Sequence, residues 1–172
     1  RDDLSAVIKA YDVRGVVGEQ IDAGLVREVG AAMARLLREE SPETGVVVVG
    51  HDMRPSSPEL VEAFAEGVVA YGLDVVNIGL ASTDMLYFAS GALDVPGAMF
   101  TASHNPAKYN GIKLCRAGAA PVGEQTGLAQ IKEMVAAGVT SRGESPGKVE
   151  RRDLLDEFGE HVRSFVDRAV LR

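Results

Sequence analysis

The chain has 172 residues, 46% hydrophobic and 25% charged, with a formal net charge of −7 and a mean hydropathy near zero. That length suits one globular domain at about 100–200 residues each, and the acidity argues against a nucleic-acid partner, which selects a basic face. No apolar run approaches the ~20 residues of a membrane span, no signal-peptide core opens the chain, and the single cysteine, Cys115, excludes an intrachain disulfide and fits a reducing cytoplasm.

In chain order, residues 6–17 read as a strand kinked at Arg14-Gly15. Over 22–39, Leu25, Val26, Val29, Met33, Leu36 and Leu37 recur at helical spacing. Val46 to Val49 form an unbroken β-branched run, as in a strand buried on both faces. Ser57 and Pro58 read as the N-cap and first position of a helix, with Leu60, Val61, Phe64 and Val68 as its apolar stripe and Gly72 as its end. A second buried strand covers 73–79, a short helix lies near 83–90, and further strands cover 97–102 and 111–115. A helix over 124–137 runs into a Gly/Ser/Pro linker at 137–150 that has no periodicity. The stretch from 151 is helical, with Leu154, Leu155, Phe158, Val162, Phe165, Val166, Ala169 and Val170 on one face.

Alternating strands and helices predict a three-layer α/β/α domain on a mixed, mainly parallel four-stranded sheet. The last two strands are separated only by residues 103–110, too few for a helical crossover. They are expected to pair antiparallel, which makes "SHNPAKYN" a hairpin loop.

That loop holds the densest chemistry in the chain. In an open α/β sheet, ligands gather at the carboxyl ends of the parallel strands, and the strand at 97–102 delivers Ser103 there. A Ser-His hydrolase fits poorly, because adjacent side chains such as Ser103 and His104 rarely face each other and no G-x-S-x-G surrounds the serine. The G-x-x-x-x-G-K-[ST] of a nucleotide-binding P-loop is absent, and His51, His104 and His161 lie too far apart in sequence for zinc-ligand spacing. Phosphoryl transfer fits better. A phosphoserine carries about −1.5 to −2 charges and needs donors and cations around it. His104, Asn105, Asn110 and Lys113 are at hand, with Pro106 and Gly111 to bend the backbone. The same residues are also good turn formers, so a plain hairpin remains the other reading of the residues alone. Arg54 follows a buried strand and either reaches the same sheet end or braces a loop. Tyr11 and Asp12 are expected to brace Arg14, His51 to make a structural hydrogen bond, and Cys115 to act as a small core residue.

"TASHNPAKYNGIK" at 101–113 resembles the phosphoserine loop of the α-D-phosphohexomutases, the phosphoglucomutase/phosphomannomutase superfamily. "KAYDVRG" at 9–15 and "VVVGHDMRPSS" at 47–57 are similar to two further signatures of that family, in the same order. "GLASTDMLYFA" at 79–89 departs from it, with Ser-Thr-Asp in place of Pro-Thr-Pro, and Thr101 replaces a common Ser. The resemblance implies a reversible mutase that interconverts hexose 1-phosphate and hexose 6-phosphate, of mannose or glucose, through a phosphoserine and a bisphosphate intermediate. It implies Ser103 as the phosphoserine, His104 and Lys113 as acid/base candidates, and Arg14 steadying the phosphate. Asn105, Arg54 and Asn110 would support the loop. It also implies a hexose bisphosphate activator and a Mg²⁺ ion held partly by the phosphate on Ser103, with its other ligands in a second domain. No Asp-x-Asp occurs in this sequence. Residues 1–140 are thus expected to be the first domain of a four-domain cytoplasmic enzyme, inactive alone. Residues 141–172 are expected to be a linker and a helix that leads to the second domain or pairs with another copy. The alternative is a free-standing, non-catalytic domain that binds phosphosugars or partners.

Overall fold

Four consecutive valines have no polar side to offer water, so the strand that carries them must be covered on both faces. The computed structural model, which describes residues 4–139 and 145–167, places that strand inside the sheet. The strands are β1 (Val13–Val16), β2 (Val46–His51), β3 (Asp74–Leu80), β4 (Gly97–Phe100), β5 (Tyr109–Arg116), β6 (Ala120–Pro121) and β7 (Val149–Arg151). Their order is β1-β5-β4-β2-β3-β7, with β6 also on β5. β4, β2, β3 and β7 pair parallel, whereas β5 runs antiparallel to β4, β1 and β6. The expected mixed sheet is therefore present, but among the described residues it has seven strands rather than four.

Alternation along β2 sorts the core into two layers. Val47 and Val49 face the larger cluster with α1 (Ala23–Glu40), α2 (Ser57–Ala70) and α4 (Leu128–Ala137). Val48 faces the smaller cluster with α3 (Thr83–Leu93) and Leu154, at the start of α5 (Leu155–Ser164). Helices α1 and α2 approach through facing glycines. A Cβ on Gly30 would lie 2.3 Å from the Phe64 carbonyl oxygen, and one on Gly67 would lie 2.0 Å from that of Arg27.

Four expectations need correction. The strand expected over 6–17 shortens to β1, because residues Leu4–Ala6 form a 3₁₀ turn and Ile8 bridges back to Val13. Ser57 does not cap α2. Ser56 is the N-cap, without a side-chain bond, and the buried Ser57 hydroxyl donates to Asp52 at 2.9 Å. Residues 149–151, expected as the end of the linker and the start of the last helix, form β7 beside β3, so the sheet extends past the boundary drawn at 140/141. Gly147 makes this possible, since a Cβ there would meet the Leu73 carbonyl oxygen at 1.9 Å. Finally, the helix expected from residue 151 begins only at Leu155, and its apolar stripe is partly covered. Leu154 is buried and Phe158 meets Phe88 at 5.6 Å, but Leu155 and Phe165 are exposed. Ala169 and Val170 lie outside the described residues.

Candidate phosphate-accepting site

β4 ends at Phe100, and buried Thr101 and Ala102 lead to an exposed turn at Ser103 and His104. Ser103 has a φ of +53°, in the left-handed region, which costs a side-chain-bearing residue roughly 1–2 kcal/mol. The turn is held at its base, where the Ser103 N–H donates to Thr101 Oγ1 at 3.1 Å. It also brings Ser103 Oγ within 3.3 Å of His104 Nδ1. Adjacent side chains do meet here, contrary to the sequence expectation, because positive φ folds the backbone back on itself. No carboxylate pairs with His104 among the described residues, so the orienting third group of a Ser-His nucleophile is lacking.

Arg54 braces the loop from beneath. It is 8% exposed. Its Nη1 donates to the carbonyls of Pro106 at 2.9 Å and Tyr109 at 3.0 Å. Its Nη2 donates to those of Ser103 at 2.9 Å and Asn105 at 2.8 Å. Its Nε donates to Asp52 Oδ2 at 3.1 Å. Every donor of the guanidinium fork is thus engaged. Asp52 in turn accepts from the Arg54 backbone N–H and from Ser57. Asn110 is fully buried and joins the same network. Its amide donates to Ser56 at 2.9 Å and Ser57 at 3.0 Å, and its carbonyl accepts the Gly111 N–H. The donors of Asn110 are therefore spent on the β2–α2 segment. Asn105 contributes its backbone, with its N–H on the Ala102 carbonyl. His51 makes its expected hydrogen bond through Nδ1 to the Asp52 carbonyl at 2.8 Å.

A band of charge lies on the strands beside the loop. Arg14 of β1 sits opposite Gly111 of β5, whose carbonyl accepts the Thr101 N–H, so the three form one row across the sheet. Lys113 sits opposite Met99, two rows back. Because Val13 and Ile112 face the larger core, Arg14 and Lys113 face the other side of the sheet. Asp12 links them, with Oδ2 at 2.5 Å from Arg14 Nη2 and 3.7 Å from Lys113 Nζ. Tyr11 does not join, being 84% exposed. Gly111 sets the spacing, since a Cβ there would fall 2.3 Å from the Val13 carbonyl oxygen and 3.0 Å from that of Thr101. Among the described residues no three His, Cys, Asp or Glu side chains come together as a metal site. Cys115 is buried away from the loop, and burial pushes its thiol pKa up, which keeps it protonated and inert.

A family model described as "Phosphoglucomutase/phosphomannomutase, alpha/beta/alpha domain I" matches residues 5–142. The chain belongs to the phosphoglucomutase/phosphomannomutase family. It is 42% identical over 165 residues to a protein named "Phosphohexose mutases" from Xanthomonas campestris pv. campestris, covering 95% of this chain and 36% of that protein. It is 36% identical to a phosphomannomutase of Vibrio cholerae, with the same coverage of 95% and 36%. A crystal structure of a phosphoglucomutase/phosphomannomutase family protein from Burkholderia thailandensis superposes with a TM-score of 0.84 at 32% identity, over 94% of this chain and 36% of that one. The chain thus spans about a third of the length of these family members, and the match falls on their domain I.

The sequence did not reveal Asp52, Ser56 and Ser57 as the partners of the loop. The segment "HDMRPSS" contains them all, but a part-buried carboxylate between an arginine and a serine gains meaning only from what those two meet across the sheet end, the Pro106 and Tyr109 carbonyls for Arg54 and the Asn110 side chain for Ser57.

Proposed function

We propose that this domain carries the phosphoserine of a hexose-phosphate mutase, with Ser103 as the residue that gives and regains the phosphoryl group. The observation that supports this most is the exposed Ser103 hydroxyl on a turn held by Arg54 and Thr101, at the sheet end flanked by Arg14 and Lys113. In the forward step a sugar hydroxyl oxygen bonds to phosphorus as the phosphorus–Oγ bond of phosphoserine breaks. The proton leaves the sugar hydroxyl and Oγ gains one, with His104 and Lys113 as the candidate carriers. The bisphosphate then turns over, and its other phosphoryl group returns to Oγ with the reverse proton movement. Arg14 supplies positive charge along this path, in keeping with phosphoryl transfer as chiefly positioning and electrostatic stabilisation.

A Mg²⁺ ion fits this site in part. The phosphate on Ser103 offers the hard oxygen that Mg²⁺ prefers, and the remaining ligands must come from residues beyond this domain. When bound, the ion would neutralise charge on the transferring group. The relatives' names include phosphomannomutase, so we assign hexose phosphates, mannose or glucose, as substrates. A hexose bisphosphate would restore the phosphoserine when it is lost, and the cytoplasm is the expected site of action. The second metal-binding partner and the sugar contacts are assigned to further domains, so the 172-residue chain alone should not turn over. Without those contacts orientation is lost, a contribution of up to about 7–11 kcal/mol of barrier.

One coupled assay tests this reading by following hexose 1-phosphate to hexose 6-phosphate with Mg²⁺ and bisphosphate activator. The full-length mutase bearing this domain should be active, and its Ser103→Ala variant and the isolated chain should be inactive. Turnover by Ser103→Ala would overturn the assignment of the serine. Turnover by the isolated chain would overturn the division of labour among domains.

A further inference from the structure

We infer that Arg54 is a positioning residue for phosphoryl transfer, one that turns backbone amides of the Ser103 loop toward the phosphate; this rests on the phosphoserine reading above. Peptide bonds are planar and trans, so the carbonyl and the N–H of one peptide point in opposite directions. Arg54 draws the carbonyls of Ser103, Asn105, Pro106 and Tyr109 inward onto one buried guanidinium. The Ser103 and Pro106 peptides therefore direct their N–H groups, which belong to His104 and Ala107, away from Arg54 and toward the exposed side of the loop. Neither amide donates to any group among the described residues. The Asn105 peptide has no N–H to aim, because Pro106 follows it. The loop thus acquires a polarity, with its carbonyls on the cation beneath and two free donors outside, the first of them directly following the serine that takes the dianion. A free backbone N–H is a good donor to an oxyanion, in a charge-assisted hydrogen bond.

The burial and anchoring of Arg54 support this role. A surface arginine recruited to hold phosphate directly would keep its donors for the ligand, whereas Arg54 has committed all of them. Asp52 fixes the fork from behind through Nε and also accepts the Arg54 backbone N–H. Lysine cannot replace it, because an ammonium presents three donors around a point and no planar fork.

The test is Arg54→Lys in the full-length mutase, measured as kcat, KM for hexose phosphate, thermal midpoint, and phosphate occupancy of Ser103. The expected result is a kcat about 10–100-fold lower at nearly unchanged KM, since misplacement by an ångström costs on this order, in a protein that still unfolds cooperatively. A merely structural residue would lower the amount of active enzyme without lowering the rate per folded, phosphorylated molecule. Wild-type kcat per phosphorylated molecule in Arg54→Lys would overturn the inference. Should too little Arg54→Lys fold, Asp52→Asn serves instead, because it loosens the anchor while leaving Arg54 in place. A several-fold loss of kcat at constant KM is expected there, and an unchanged kcat overturns the inference. Absence of phosphate from Ser103 in the wild-type enzyme would instead overturn the phosphoserine reading, so the two failures are distinct.

Discussion

Asp12 holds two cations with one carboxylate, but it holds them unequally. Arg14 is at 2.5 Å and mostly buried, whereas Lys113 is at 3.7 Å and 32% exposed. Removing Lys113 leaves Asp12 still paired, so Lys113→Ala should change stability by no more than ~1 kcal/mol, the range of exposed ion pairs. Its effect on turnover should be far larger. Loss of one stabiliser of developing charge typically lowers kcat by ~10²–10³. Steady-state kinetics beside a denaturant titration separates the two effects, and a Lys113→Ala mutase with wild-type kcat would remove Lys113 from the reaction. At this scale the sequence was legible where chemistry is local. Ser103 stands out because a hydroxyl, an imidazole and turn formers are contiguous, and the pairing of Asp12 with Arg14 follows from a two-residue spacing on one strand face. Loop bracing by Arg54 was one reading of the sequence, but its partners were not legible, because four of its five bonds go to backbone carbonyls roughly 50 residues away and carbonyls leave no trace in side-chain identity.

The α1–α2 contact shows how an element can depend on the absence of a side chain. Gly30 and Gly67 each bring the other helix's backbone inside the radius of a methyl group. The ion pair between Arg27 and Glu66 spans the same contact on the solvent side. Gly67→Ala raises intrinsic helix propensity by about 1 kcal/mol, yet it must push α1 aside, and overpacking of this kind typically costs ~1–3 kcal/mol or more. We expect the clash to win, because the obstruction is backbone that cannot rotate away. Urea titration should give a lower midpoint for Gly67→Ala at an unchanged slope, and a stabilised variant would show that the helices are free to separate. The elements themselves were legible in proportion to how local their signals are. The valine run of β2 and the repeat along α1 sit in continuous stretches, and the eight residues between β4 and β5 force an antiparallel pairing. β7 gave no such sign. "VER" has neither length nor alternation, and it becomes a strand only because β3 leaves an open edge and Gly147 lets the chain lie against Leu73.

The whole domain is organised about one end of its sheet. β1, β2 and β4 run in the same direction toward the loop, and β5 returns from it, so one edge of a rigid layer carries the serine, its brace and the cations. The chain covers 36% of the length of its relatives, and apolar Leu80, Leu155 and Phe165 face solvent. No described helix is long and apolar enough to cross a membrane. The functional reading depends most on the proposed phosphorylation of Ser103. The most direct measurement is peptide mapping by mass spectrometry of the full-length mutase after incubation with hexose bisphosphate and Mg²⁺. One phosphoryl group should be found on the peptide containing "TASHNP", localised to Ser103 and removed by addition of excess hexose phosphate. Phosphate on another residue alone, or a turning-over enzyme with no phosphorylated protein at all, would contradict it.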